Sequence, residues 1–184
     1  MAKSSLDSVQ QNIPLEVEWR AFELRPQGGP PMDPAYRKRI EEGWPRVQAM
    51  GREFGVEMKS HRFGVNTRPA HRAYKIVQHL APEQADAFNT AIYRAYFEED
   101  QDIGDAEVLV ALAESLNIDG AALRERLEAG EALEEVVAEE EMAYMSGISG
   151  VPAQVFMDKY LVSGVRPPEY IEAVVEQIRE QEGV

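Results

Sequence analysis

The 184-residue chain sets 33 acidic against 19 basic side chains, a formal net charge of −14 at pH 7, with 44% hydrophobic residues and no cysteine. These are globular proportions over a length that buries a sizeable core, while the acidity argues against nucleic acid, whose binding needs Lys and Arg to displace counterions. The lack of cysteine excludes disulfides, thiolate nucleophiles and sulfur-rich metal sites, and with His61, His71 and His79 as the histidines neither a metal nor another cofactor is expected.

The opening string Met1-Ala2-Lys3-Ser4-Ser5-Leu6-Asp7 lacks the apolar core of a signal peptide. No apolar run reaches membrane-spanning length, so the expectation is a soluble, cytoplasmic protein with no membrane partner. Leu6 and Val9, with Ala2, share one side of a short helix over residues 1–11, ended by Asn12 and Pro14. Leu15, Val17, Trp19 and Ala21 then alternate with polar residues, which predicts a strand over 15–24 with one apolar face. The phase slips at Phe22 and Leu24, as a bulge or the end of the strand would cause. Residues 25–32, rich in glycine and proline, read as a loop.

Helical spacing dominates the next hundred residues. Asp33-Pro34 is a cap followed by proline at the first helical position, opening a helix that runs to Phe54 and stops at Gly55, with Gly43 and Pro45 as points of bending or division. Further helices are predicted over 68–80, 82–98 and 105–117, the last capped by Asp105 and carrying Val108, Leu109, Leu112, Ala113 and Leu116 inward. Asp119 caps a short helix ending near Gly130. In the following helix, over 131–146, Leu133, Val136 and Val137 face inward and the run Glu139-Glu140-Glu141 faces solvent. Trp19 and Trp44 read as core anchors. Met50, Met58, Met142 and Met145 either fill core, the commoner use of methionine, or line an adaptable groove.

The tail changes character. Residues 153–157 and 160–163 read as two strands around a two-residue Asp158-Lys159 turn, and Pro167-Pro168 opens a last helix with Tyr170, Ile171, Val174, Val175 and Ile178 on one face.

This order of helix, strand, long helical stretch, Gly150-Val151-Pro152, hairpin and helix resembles the C-terminal part of a thioredoxin fold with a helical domain inserted before its final β-β-α unit, the DsbA arrangement. Four strings are similar to the FrnE-type branch of that family: residues 17–24 (VEWRAFEL), Asn66-Thr67 with Ala70-His71-Arg72, residues 96–103 (YFEEDQDI) and residues 147–152 (GISGVP). Their order and spacing extend the resemblance over nearly the whole chain. It implies an α/β thioredoxin-like (DsbA-like) fold with its first strand missing. Residues 1–32 and 147–184 would form the incomplete thioredoxin-like domain, and residues 33–146 the inserted all-helical domain. The activity implied is thiol-disulfide oxidoreductase or disulfide isomerase chemistry on a client polypeptide or small thiol.

Gly150, Val151 and Pro152 are the candidate substrate-binding residues. From the triplet alone two readings stand. A cis proline would turn the chain tightly and leave the backbone groups of the preceding residue free to pair with an extended peptide. Alternatively, Pro152 starts an edge strand. The family resemblance implies the first.

In this family a Cys-x-x-Cys pair sits at the N-terminus of the first helix, where the helix dipole lowers the attacking thiol's pKa. That helix corresponds here to residues 1–11, so the strand and the cysteine turn would lie upstream of residue 1. This is expected if Met1 is an internal methionine of a longer natural protein, or if the lineage has lost the redox segment. No catalytic residue is assigned, and the chain as it stands is expected to be redox-inactive. Without the intervening strand, the segments at 15–24 and 153–163 would either pair directly or be covered by another copy of the chain.

Two other functions compete. A cysteine-free peptide-binding or chaperone-like module would use the groove near Pro152. A glutathione-dependent isomerase, similar to the hydroxychromene-carboxylate isomerases, would use Ser4 or Ser5 to stabilise a thiol at a helix N-terminus, although such serines more commonly cap helices or meet solvent. His71 reads as a surface or hydrogen-bonded structural group with no chemistry assigned.

Overall fold

A computed structural model describes residues 1–26, 29–59 and 63–183. His61 and part of the 25–32 loop lie outside the described residues. Among them run eight α-helices and one two-stranded antiparallel sheet.

Two separate apolar clusters organise the molecule. The larger is built by α3 (Arg68–Leu80), α4 (Ala85–Phe97), α5 (Ala106–Ser115) and α6 (Gly120–Glu128), which bury Ile76, Phe88, Leu109 and Leu123 completely. Asp105 and Asp119 accept hydrogen bonds from the amides of Glu107 and Ala122 and so cap α5 and α6 as expected. The predicted helix over 82–98 is a 3₁₀ turn at Pro82–Gln84 running into α4.

The smaller cluster joins the two ends of the chain. Helix α1 (Ala2–Gln10) contributes Leu6 and Val9, and α8 (Pro168–Glu182) contributes Ile171 and Val175. Ile13, Leu15, Val17, Trp19 and Phe156 pack against this helix pair. The helical layer therefore carries both the 15–24 segment and the hairpin.

Residues 14–23 form no ladder, which corrects the predicted strand. Nor does the segment pair directly with the hairpin; among the described residues the sheet consists of β1 (Ala153–Phe156) and β2 (Tyr160–Ser163). The strand-like alternation is nevertheless kept. Leu15, Val17 and Trp19 are half-buried, Ala21 and Glu23 are buried, and Glu16, Glu18 and Arg20 are exposed. The expected phase slip is absent. Position 23 turns inward with a charged side chain, and Leu24 turns out to solvent.

Helix α2 (Pro34–Glu53) is capped by Asp33, whose side chain accepts from the Tyr36 amide, and it runs unbroken through Gly43 and Pro45. It buries Trp44 and Gly51. The Trp44 indole donates to the Lys59 carbonyl at 3.1 Å, so this tryptophan anchors the 56–59 segment. Trp19 is half-buried and meets Tyr93 edge-on. Of the four methionines, Met58 fills core, whereas Met50, Met142 and Met145 are exposed.

The hairpin turn departs from the predicted Asp158-Lys159 pair. Phe156 pairs with Tyr160 across a three-residue loop, and Met157 and Asp158 both adopt positive φ, 52° and 54°. The strand residues are too apolar to mark which loop residues turn, and neither Met nor Asp favours the left-handed region as Gly does. Replacing Met157-Asp158 by Asn-Gly, the preferred pair for such turns, is expected to stabilise the protein by about 1 kcal/mol, measurable as a raised urea midpoint.

Candidate functional site

Helix α7 (Leu133–Met145) delivers the chain to the site. Its end is closed by a Schellman arrangement in which Gly147, at φ 75°, donates to the Tyr144 carbonyl and Ile148 donates to that of Ala143. Residues 148–152 then carry the backbone into β1, and the Val151–Pro152 peptide bond is cis.

The edge that follows is set by register. The Gly164 amide donates to the Pro152 carbonyl at 2.8 Å, and Gln154 and Phe156 stand opposite Val162 and Tyr160. In an antiparallel pair the backbone groups of alternate residues face the partner strand. Those of Pro152, Gln154 and Phe156 therefore face β2, and those of Ala153 and Val155 point off the outer edge of β1. Val151, Val155 and the cross-strand Leu161 are each 47% exposed. Gly150 and Pro152 are half-buried beside them. The three predicted residues thus lie together where β1's unladdered edge begins. The Gln154 carboxamide is buried, and among the described residues neither its oxygen nor its nitrogen has a hydrogen-bond partner.

A charged cluster unforeseen in the sequence holds the 20–24 segment in place of a ladder. The Ala21 amide donates to Glu139 Oε2 at 2.6 Å, and the Glu23 amide donates to Glu140 Oε1 at 3.0 Å. Two carboxylates of α7 thus satisfy backbone donors that a neighbouring strand would otherwise meet. This corrects the outward placement of the acidic run: Glu139 and Glu140 are buried, while Leu133, predicted inward, is exposed. Burial of Glu139, and of Glu23 on the segment, is tolerable because α3 supplies cations. Lys75 Nζ, itself buried, lies 2.5 Å from Glu139 and 3.3 Å from Glu135. Arg68 grips the fully buried Glu23 through Nε at 2.6 Å and Nη2 at 3.3 Å. Arg20 reaches Glu139 from the rim at 3.4 Å.

His71 completes the α3 face. Burial holds its imidazole below the ordinary value of 6.5, against the opposing pull of Glu23 and of a hydrogen bond to the Phe22 backbone. A lowered folded-state value means that its stabilising contribution is present above pH 6.5 and is lost as pH falls through the folded value. His71→Gln is accordingly expected to flatten the decline of the urea midpoint between pH 7 and pH 5. The Glu140 carboxyl is shifted the other way, upward, first by burial and then by the neighbouring Glu23.

The sequence did carry a trace of this cluster. Positions 68, 71 and 75 share one face of α3, and positions 135 and 139 share one face of α7. What was missing was any sign that the two faces meet.

The serines fare differently. Ser4, Ser5 and Ser8 line a cleft of about 360 Å³ with Phe54, Glu53 and Glu169. The Ser5 hydroxyl is buried and donates to the Arg166 carbonyl at 2.7 Å, tying α1 to the start of α8. That proton is therefore not available to a thiolate, and the two glutamates oppose an anionic ligand.

The family model of the DSBA-like thioredoxin domain matches residues 1–176. Over 131 residues the chain is 33% identical to the uncharacterized protein YwbO of Bacillus subtilis (strain 168), covering 70% of this chain and 64% of that protein. The chain therefore spans a little under two thirds of that curated relative's length. Among solved structures, a probable DsbA oxidoreductase from Streptomyces coelicolor is similar at TM-score 0.82 and 26% identity, over 96% of this chain and 82% of that one. A 2-hydroxychromene-2-carboxylate isomerase shares the fold at TM-score 0.79 and 19% identity, over 99% of this chain and 90% of that one.

Proposed function

The chain belongs to the DSBA-like thioredoxin domain family, and on that premise we propose that it is a client-binding scaffold which holds an extended polypeptide along the outer edge of β1, at Gly150, Val151 and Pro152. The observation that carries this reading is the free edge itself. Among the described residues, Ala153 and Val155 present backbone donors and acceptors off this edge beside the exposed side chains of Val151 and Val155, the combination that strand addition uses. Main-chain hydrogen bonds would supply affinity, and the half-exposed Val151 and Val155 would favour apolar client residues.

Thiol-disulfide exchange needs an attacking thiolate and a resolving thiol. This chain carries no cysteine, so its own side chains provide neither, and no catalytic residue is proposed. A small thiol remains a proposed alternative ligand, a second copy pairing along the same edge a proposed partner, and the FrnE-type branch and a cytoplasmic setting are part of the same reading. Titration calorimetry with a reduced, unfolded, cysteine-free polypeptide tests it. Saturable binding is expected, together with background rates in a peptide-disulfide reduction assay. Absence of binding, or genuine turnover by this chain, would overturn it.

A further inference from the structure

We propose that Glu140 is a proton-operated latch on residues 20–24, closed when its carboxyl is protonated and loosened when it ionises. The geometry singles this group out. Glu139 meets a cation directly, with Lys75 at 2.5 Å and Arg20 at 3.4 Å. Glu140 is as buried, yet among the described residues it forms no ion pair; its bond is to the Glu23 amide at 3.0 Å, on the residue whose own carboxylate Arg68 holds. Two buried carboxylates anchored on the same residue repel when both are charged, and a proton on one removes the repulsion.

Among the described residues, the charged groups that act on Glu140 are Glu23 on the segment and Arg68 on α3; Arg20, Lys75, Glu135 and Glu139 form the adjoining ion-pair cluster, with His71 beside Glu23 and Glu139. Lys75 is taken by Glu139 and Glu135, and Arg68 is engaged bidentately by Glu23, so the pull of Arg68 on Glu140 offsets only part of what burial and the Glu23 charge impose. A protonated Glu140 keeps its acceptor oxygen for the Glu23 amide and gains a donor toward the carboxylate beside it. The Glu23 amide bond on its own favours the ionised carboxylate and pulls the carboxyl down, but burial and the Glu23 charge outweigh it, so the protonated form keeps the bond at the lower net cost. Because the folded state binds this proton more tightly than the unfolded chain does, the latch's contribution is present at low pH and is lost as pH rises through the raised folded value.

Hydrogen exchange at the Ala21 and Glu23 amides reads the latch, with carboxyl NMR following Glu140 in the unaltered protein. Glu140 is expected to titrate above the ordinary carboxylate range. Protection of both amides, corrected for intrinsic exchange, is expected to fall as Glu140 ionises, by up to about tenfold per pH unit. In Glu140→Gln, which mimics the protonated form, protection should stay high and lose that pH dependence. A Glu140 carboxyl that titrates in the ordinary range, or equal pH dependence in the two proteins, would overturn the proposal. The carboxyl titration needs no variant, so the outcome stands even if the glutamine form folds poorly.

Discussion

Glu139→Ala is expected to destabilise the protein by about 3 kcal/mol, because it leaves buried Lys75 with only the more distant, partly exposed Glu135 and removes the acceptor of the Ala21 amide. The loss should come from the orphaned partners more than from the ion pair, since breaking a buried pair costs more than the pair is worth. The distinction is measurable. Combining Glu139→Leu with Lys75→Met removes both charges, and the double variant should recover most of the loss, leaving mainly the cost of the unbonded amide. Urea unfolding of the single and double variants, with local exchange at residues 20–24, checks this. If the double variant is as unstable as the single one, the carboxylate acts chiefly as a hydrogen-bond acceptor for the backbone.

Val155→Lys is expected to weaken binding of an extended apolar polypeptide by about tenfold or more, roughly 1.4 kcal/mol, with little change in the unfolding midpoint. A lysine on an edge strand is a common guard against strand addition, and Val155 is already half exposed, so the fold loses little by the change. Leu161→Lys supplies the contrast. It sits opposite Val155 with the same exposure, but its outward backbone groups lie on the β2 edge, away from Pro152. The β2 substitution should therefore weaken binding less than the β1 substitution. The reverse ranking would move the client to the other edge of the hairpin.

Much of the helical architecture was readable because its signals are local. Asp33, Asp105 and Asp119 sit where an aspartate can cap the next turn, and the apolar spacing of α3 to α6 matches the faces they bury. The segment at 15–24 failed for the opposite reason. Alternation shows which side chains face inward but not whether a neighbour is present to complete a ladder. Here side chains of α7 take the place of that neighbour at Ala21 and Glu23. Glu139 and Glu140 looked solvated because a run of acids usually is; the burial of Glu139 depends on Lys75, more than sixty residues away in sequence, and Glu140 is met by the still more distant Glu23 amide. Gly150, Val151 and Pro152 were assigned as candidates through family resemblance, and the register of β1 and β2 shows that the backbone groups of Ala153 and Val155 next to them point away from β2.

Strand addition at the β1 edge is tested most directly by an amide NMR titration with a cysteine-free extended peptide. Saturation should shift the Val151, Ala153 and Val155 resonances and slow the exchange of their amides, while Leu161 and Ser163 on the far edge stay unchanged. Binding that leaves those three amides unaffected would contradict it, as would no binding at all.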